Sequence, residues 1–331
     1  MIEVGIPTMG GDECEAIRRI QALQLKAKLV GWNRGKREDL DASFALGLTH
    51  VHIGLPASKE LLEGGLRRDR SWLLKTMTEL VSYAKSRAEF VSLSAEDVCR
   101  AEPDFLVEYA RAAKQAGADR LRMSDTVGLA TPEYYATLVR QVVEQTGIPV
   151  MVHAHNDFGL GVANTLAGLA AGARYCHVTV NGIGERAGMP PLDEVVMALK
   201  HLYGVDLGWN LPLLPQLADV VSKACGVPLH PWKPIVGANV FAHESGIHVA
   251  GMQRNERTFE PTSPEEVGAQ RRIVLGKHSG SHAIEAVLRE RGMAIDAQRA
   301  QKLLVVVREQ AVRKKRAVTP EELEELNAQL P

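Results

Sequence analysis

Cysteine is scarce, charge is balanced between its signs, and no long apolar run occurs in these 331 residues. The four cysteines, Cys14, Cys99, Cys176 and Cys225, stand far apart with no metal-type spacing, which excludes a disulfide scaffold or a zinc finger and fits a reducing cytoplasm. Lysine plus arginine number 39 against 40 aspartate plus glutamate, a formal net charge of −1, so no global field draws the chain to nucleic acid or to an anionic membrane. A small molecule is the expected partner. The basic run Arg313-Lys314-Lys315-Arg316 precedes the acidic helix start Thr319-Pro320-Glu321-Glu322 and reads as a solvated face. No stretch approaches the roughly 20 apolar residues of a membrane span, and Met1-Ile2-Glu3-Val4-Gly5 carries neither the basic nor the apolar region of an export signal. The expected location is cytoplasmic.

What is present is an ordinary globular composition, 45% apolar and 24% charged, in a chain longer than one hydrophobic core usually serves. Short apolar runs alternate with longer amphipathic ones, the pattern of βα units around a parallel sheet. Strands are predicted at Ile2-Gly5, Lys28-Trp32, His50-Leu55, Glu89-Leu93, Arg120-Met123, Pro149-His155 and Tyr175-Val180. The helices predicted after them are Glu13-Leu25, Arg37-Leu46, Ser71-Arg87, Asp104-Gln115, Pro132-Gln145, Gly161-Ala171 and Pro191-Tyr203. Gly117 and Gly172 supply the left-handed residue that ends a helix before the next strand. A closed barrel needs eight strands over about 250 residues. The expectation is therefore an α/β fold, a TIM (β/α)8-type barrel over residues 1–205 that lacks its first strand and helix. The proline-spaced remainder, 206–331, is expected to be a linker and a smaller, mostly helical C-terminal subdomain, and Pro56 to Arg70 a long loop.

In Val150-Met151-Val152-His153-Ala154-His155-Asn156-Asp157 two histidines sit two residues apart at the end of an apolar strand. Period-two alternation aims both imidazoles at one face, into the barrel mouth where such folds do their chemistry. Two neutral imidazoles suit a divalent metal, and a carboxylate is expected to complete the set. Ser92-Leu93-Ser94-Ala95-Glu96-Asp97 and Met123-Ser124-Asp125-Thr126-Val127-Gly128 put hydroxyls and carboxylates after the fourth and fifth strands, where helix capping is the alternative role. Asn156-Asp157-Phe158-Gly159 and Asn181-Gly182-Ile183-Gly184-Glu185-Arg186-Ala187-Gly188 add glycine-rich turns that let backbone approach a ligand, or serve only as flexible connections.

These segments, with Glu3-Val4-Gly5-Ile6-Pro7, His243-Glu244-Ser245-Gly246-Ile247-His248 and Leu275-Gly276-Lys277-His278-Ser279-Gly280, occur in an order that resembles the homocitrate synthase and 2-isopropylmalate synthase family. The branch most resembled is the nitrogen-fixation type of homocitrate synthase, on Leu55-Pro56-Ala57-Ser58, Arg68-Asp69-Arg70-Ser71-Trp72 and the full Val274-Leu275-Gly276-Lys277-His278-Ser279-Gly280 run. The resemblance implies condensation of acetyl-CoA with a 2-oxo acid, 2-oxoglutarate first, followed by thioester hydrolysis to homocitrate. It implies a divalent cation, Mg, Mn or Zn, on His153 and His155, substrate contacts from Ser94, Thr126 and Glu185, and acid-base catalysis by Glu96 with His248. It also implies a homodimer.

Departures from the family pattern are specific. The family's Leu-Arg-Asp-Gly-Glu segment, which supplies a metal-binding carboxylate, has no counterpart here; Met189 stands for a metal-ligating asparagine, and Phe259 for a tyrosine. Ser92 replaces the arginine that lysine-pathway homocitrate synthases direct at the distal carboxylate, and Leu61 replaces a histidine of isopropylmalate synthases. The alternatives are condensation with another 2-oxo acid, and a noncatalytic homologue that binds a metabolite or partner.

Overall fold

The computed structural model describes residues 1–330, with the backbone alone at Gln253 and Glu256. The chain divides into two compact units, Met1–Tyr203 and Gly204–Pro331.

The first unit is a parallel sheet whose seven strands are hydrogen-bonded in chain order. They are β1 (Ile2–Gly5), β2 (Leu29–Arg34), β3 (His50–Gly54), β4 (Phe90–Glu96), β5 (Arg120–Asp125), β6 (Val150–Ala154) and β7 (Tyr175–Cys176). All seven predicted strands are found. β7 is much shorter than expected, because the chain leaves the sheet at His177 and forms a 3-10 turn at Val180–Gly182. β1 and β7 are the two edges of the sheet and do not pair with each other. Helices follow at α1 (Gly11–Ala22), α2 (Arg37–Ala45), α3 (Arg70–Lys85), α4 (Pro103–Ala116), α5 (Pro132–Thr146), α6 (Gly161–Ala170) and α7 (Leu192–Tyr203).

Local chemistry explains the boundaries. Asp69 accepts a hydrogen bond from Trp72 N at 2.7 Å and starts α3. Thr131 caps α5, whose first residue is Pro132, a position where proline's missing N–H costs nothing. Between β3 and α3 the expected loop carries one extra element, a single π-helical turn at Glu60–Gly65.

The apolar core of this unit lies outside the sheet. Val51, Ile53, Val91, Leu93, Leu121, Met123, Val150 and Val152 face the helices and pack on Leu73, Met77, Val81, Tyr109, Tyr135 and Val139. Every second residue of each strand faces the other way, into the concave side.

The second unit holds α8 (Leu214–Cys225), the short parallel pair β8 (Ala242–His243) and β9 (Arg272–Ile273), and α9 (Gly246–Arg254). It ends with α10 (Ser281–Glu290), α11 (Ala297–Lys314) and α12 (Pro320–Gln329), packed around Ile284, Leu288, Leu303, Val307 and Leu323. Two members of the basic run at the end of α11, Lys314 and Arg316, bind Glu322, which also closes a capping box with Thr319. All four cysteines are free thiols. Among the described residues no helix is long and apolar enough to cross a membrane.

Candidate active site

A barrel interior is usually filled with branched apolar side chains. This one is polar. The inward positions are His50 and His52 on β3, Ser92, Ser94 and Glu96 on β4, Arg120, Arg122 and Ser124 on β5, and His153 on β6, with His155 and His177 just beyond β6 and β7. The parallel register pairs Ser92 with Arg120, Ser94 with Arg122, Glu96 with Ser124, and Ser124 with His153. The last two pairs make a continuous row at the C-terminal end of the sheet.

His153 and His155 lie together as the alternation requires, with ring centroids 5.0 Å apart. His155 Nδ1 lies 3.3 Å from Asp125 O, an acceptor only, so the proton sits on Nδ1 and Nε2 is bare. His153 Nδ1 meets His177 Nδ1 at 2.8 Å. Glu3, 3.9 Å from His177 Nε2, favours the proton on that nitrogen. His177 Nδ1 then accepts from His153, and His153 Nε2 is bare as well. Burial, then the neighbouring His177 and Arg122, hold the His153 pKa well below its ordinary value. Burial and Arg122 bring His177 down to about 4. The Nε2 atoms of His153 and His155 are the ones left open to coordinate.

The donor chemistry therefore suits two metal bonds. It does not supply a third: among the described residues no group of three or more His, Cys, Asp or Glu could hold a metal ion. The described residues are not a whole metal centre.

Glu96 ends β4. Burial raises its pKa, with Arg122 opposing the rise. Its carboxyl occupies space that only a glycine at position 54 leaves open, because a Cβ there would come within 2.8 Å of both Glu96 Oε1 and Trp32 Cζ2. The next residue, Asp97, is buried at φ 63°, a strained conformation for a residue with a side chain. Three contacts hold it there: Ser58 Oγ and Arg100 Nε donate to its Oδ2 at 2.5 and 2.8 Å, and its N–H donates to Thr126 Oγ1 at 2.8 Å. Thr126 and Ser58 are thus drawn to the end of β4. Asp125 holds the turn after β5, accepting from Leu129 N and Ala130 N.

The glycine-rich segment after β7 contributes its arginine. Arg186 donates to both Asp157 oxygens, at 2.8 and 2.9 Å, and to Thr126 O at 2.8 Å, while the Glu185 side chain is 85% exposed. His248 belongs to the second unit, on the first turn of α9, with its ring stacked on Phe259 at a centroid distance of 4.0 Å.

Sequence reasoning missed His52, Arg120, Arg122, His177 and Glu3. Glu3, His52, Arg120 and Arg122 alternate with apolar neighbours on their strands, the same signal that singled out His153 and His155, whereas His177 lies just beyond β7.

A parallel β/α sheet with ionisable side chains clustered at its C-terminal end is the frame of a barrel enzyme. The chain belongs to the HMGL-like family, whose pattern matches residues 1–221, and carries a homocitrate synthase post-HMGL domain-like region at 235–315. Within that family it falls among the acetyl-CoA-dependent condensing synthases. It is 52% identical to the 2-phosphonomethylmalate synthase of Streptomyces rubellomurinus over 98% of this chain and 87% of the relative. It is 47% identical to 2-isopropylmalate synthase 2 of Caldanaerobacter subterraneus over 97% of this chain and 84% of the relative. Identity to homocitrate synthase 1 of a Nostoc species is 45%, over 97% and 85% of the two chains. The crystal structure of HMG-CoA lyase from Bacillus subtilis shares the fold, with a TM-score of 0.61 and 16% identity over 68% of this chain and 78% of that one.

Proposed function

We propose that this chain joins the methyl carbon of acetyl-CoA to the carbonyl carbon of 2-oxoglutarate and hydrolyses the thioester, releasing (R)-homocitrate and CoA. The observation that carries the reading is Glu96, a half-buried carboxyl with a raised pKa in the same row of the sheet as Ser124 and His153. Such a group takes a proton from a weak carbon acid more readily than an ordinary carboxylate does, and once protonated it can still donate to the far more basic alkoxide. Glu96 and His248 are proposed to share that traffic. The hydroxyls of Ser94 and Thr126 sit on neighbouring strand ends and suit the carboxylate of the 2-oxo acid. His153 and His155 are the imidazoles proposed for the divalent ion that the family uses. A homodimer, read from the family resemblance, is part of the same proposal.

The relatives' product names differ only in the group on a malate core: phosphonomethyl in one, isopropyl in another, and carboxyethyl in homocitrate. The 52% identity to the first makes phosphonopyruvate the second acceptor to test. One observation favours a noncatalytic homologue, namely that no third metal ligand is found among the described residues. The purified chain should release CoA thiol from acetyl-CoA with 2-oxoglutarate when divalent metal is added. Silence with 2-oxoglutarate, phosphonopyruvate, 2-oxoisovalerate and pyruvate alike would refute the enzyme reading. Metal content measured after gel filtration should fall in His153→Ala and in His155→Ala; an unchanged content would remove the pair from the proposal.

A further inference from the structure

Spacing in the second unit sets three element faces toward one another. Val249 and Met252 lie three apart on α9, Ala286, Arg289 and Glu290 three and four apart on α10, and Arg271 and Ile273 two apart along β9 and the residue before it. These faces enclose a cavity of about 440 Å³. Sites for small molecules occupy roughly 300 to 1,000 Å³ and combine an apolar lining with a few polar groups. The apolar part here is Val249, Met252, Ile273 and Ala286.

Three guanidiniums line the same cavity, Arg254 at the end of α9, Arg271 and Arg289. Arg271 is compensated, because its Nε and Nη2 donate to the two Glu260 oxygens at 2.9 and 2.7 Å, and Glu260 also holds His243 Nε2 at 3.0 Å. Arg254 and Arg289 make no ion pair among the described residues. By contrast Arg291 and Arg316 of this unit reach Glu321 at 2.8 Å and Glu322 at 2.6 Å. Glu290 is the one described carboxylate on the lining, so one guanidinium remains in excess. Asn255 Oδ1 accepts from Arg257 N at 3.0 Å, which leaves the Asn255 NH2 group as a donor at the cavity. Guanidiniums gathered from separate elements repel one another; an oxyanion relieves that repulsion and fills their forked donors.

We propose that this cavity binds a small organic anion, its head group held by Arg254, Arg289 and the Asn255 amide and its apolar body resting on Val249, Met252, Ile273 and Ala286. A carboxylate and a phosphate share the head-group chemistry. A neutral molecule of the same shape leaves the guanidiniums uncompensated, and a bare inorganic anion leaves the apolar lining wet, so the site favours a molecule that has both parts. Val249 follows His248 on α9, so the bound anion touches the helix that carries His248. The site does not depend on the condensation reading.

The test is calorimetric titration of the full chain with four probes: benzoate, phenyl phosphate, benzamide and inorganic phosphate. The better of the two aromatic anions is expected to bind at one site per chain, tenfold or more tighter than either benzamide or inorganic phosphate. Comparison of benzoate with phenyl phosphate identifies the head group. Arg254 and Arg289 are both exposed, so Arg254→Gln and Arg289→Gln are expected to keep the circular dichroism melt of the parent chain. Each is expected to weaken the binding at least fivefold. Added salt should weaken it in the parent chain as well. Four results would each overturn the site: no saturable binding of either aromatic anion, benzamide bound as tightly as the anions, inorganic phosphate bound as tightly as phenyl phosphate, or full affinity kept in either variant.

Discussion

Tyr135 on α5 is fully buried, and its hydroxyl joins two strands: it donates to Met123 O on β5 at 2.6 Å and accepts from His153 N on β6 at 3.1 Å. Replacement by phenylalanine keeps the ring and opens no sizeable cavity, so the loss is confined to hydrogen bonding. A buried N–H deprived of its partner costs about 1 to 3 kcal/mol, and the lost bond to a carbonyl about 1 more, giving about 2 to 3 kcal/mol after the hydroxyl's own desolvation is credited. For a unit of roughly 200 residues this lowers the melting temperature by about 4 to 12 °C. The assay is urea unfolding of Tyr135→Phe, in which the midpoint should fall while the slope is unchanged. Tyr109 is an internal control, because its hydroxyl makes one such bond, to Ser94 O at 2.9 Å. Tyr109→Phe should cost about half as much. A loss below about 0.5 kcal/mol in Tyr135→Phe, or equal losses in the two variants, would refute the claim that the hydroxyl ties the backbone of His153 in place.

Gly188 sits at φ 86°, and a Cβ there would fall on the Gly182 carbonyl oxygen, so Gly188→Ala should cost about 2 kcal/mol or more and displace the Arg186 turn; a neutral effect in denaturant would contradict this. His52 is held well below its ordinary value of 6.5, so below about pH 6.5 the unfolded chain takes up a proton that the folded chain refuses. Stability should therefore decrease as pH falls, by about 1.4 kcal/mol per unit per group, with His153 and His177 acting in the same sense, and His52→Gln should flatten the slope of urea midpoints between about pH 6.5 and 5. Glu96→Gln should lower kcat for thiol release about a hundredfold or more. The acid limb of the wild-type pH profile should lie above the ordinary carboxylate range, since the raised pKa delays formation of the carboxylate as pH rises.

The strands were legible because their outer faces are apolar at every second position, as in Val51 and Ile53 or Leu121 and Met123. His153 and His155 were legible for a related reason: two residues of one strand carry their geometry with them. The third imidazole, His177, was not. Its contact with His153 spans 24 residues and depends on where a two-residue strand stops, which alternation does not encode. Arg120 and Arg122 were assigned to a strand, but alternation gives the face of a side chain and not its partner, so their convergence on Ser92 and Glu3 emerged only with the register. At Glu185-Arg186 a positive φ at Arg186 turns the arginine, and not the glutamate, toward Asp157.

The placement of the apolar core outside the sheet has an evolutionary consequence. The residues that hold the first unit together and those that meet a ligand occupy opposite faces of the same strands, so they can change independently. Substitution at 52, 92, 120 or 122 changes the side chains of the concave side while the packing of Val51, Val91, Leu121 and their helices is untouched. One scaffold can thus carry different sets of inward side chains without crossing an unfolded intermediate in sequence space.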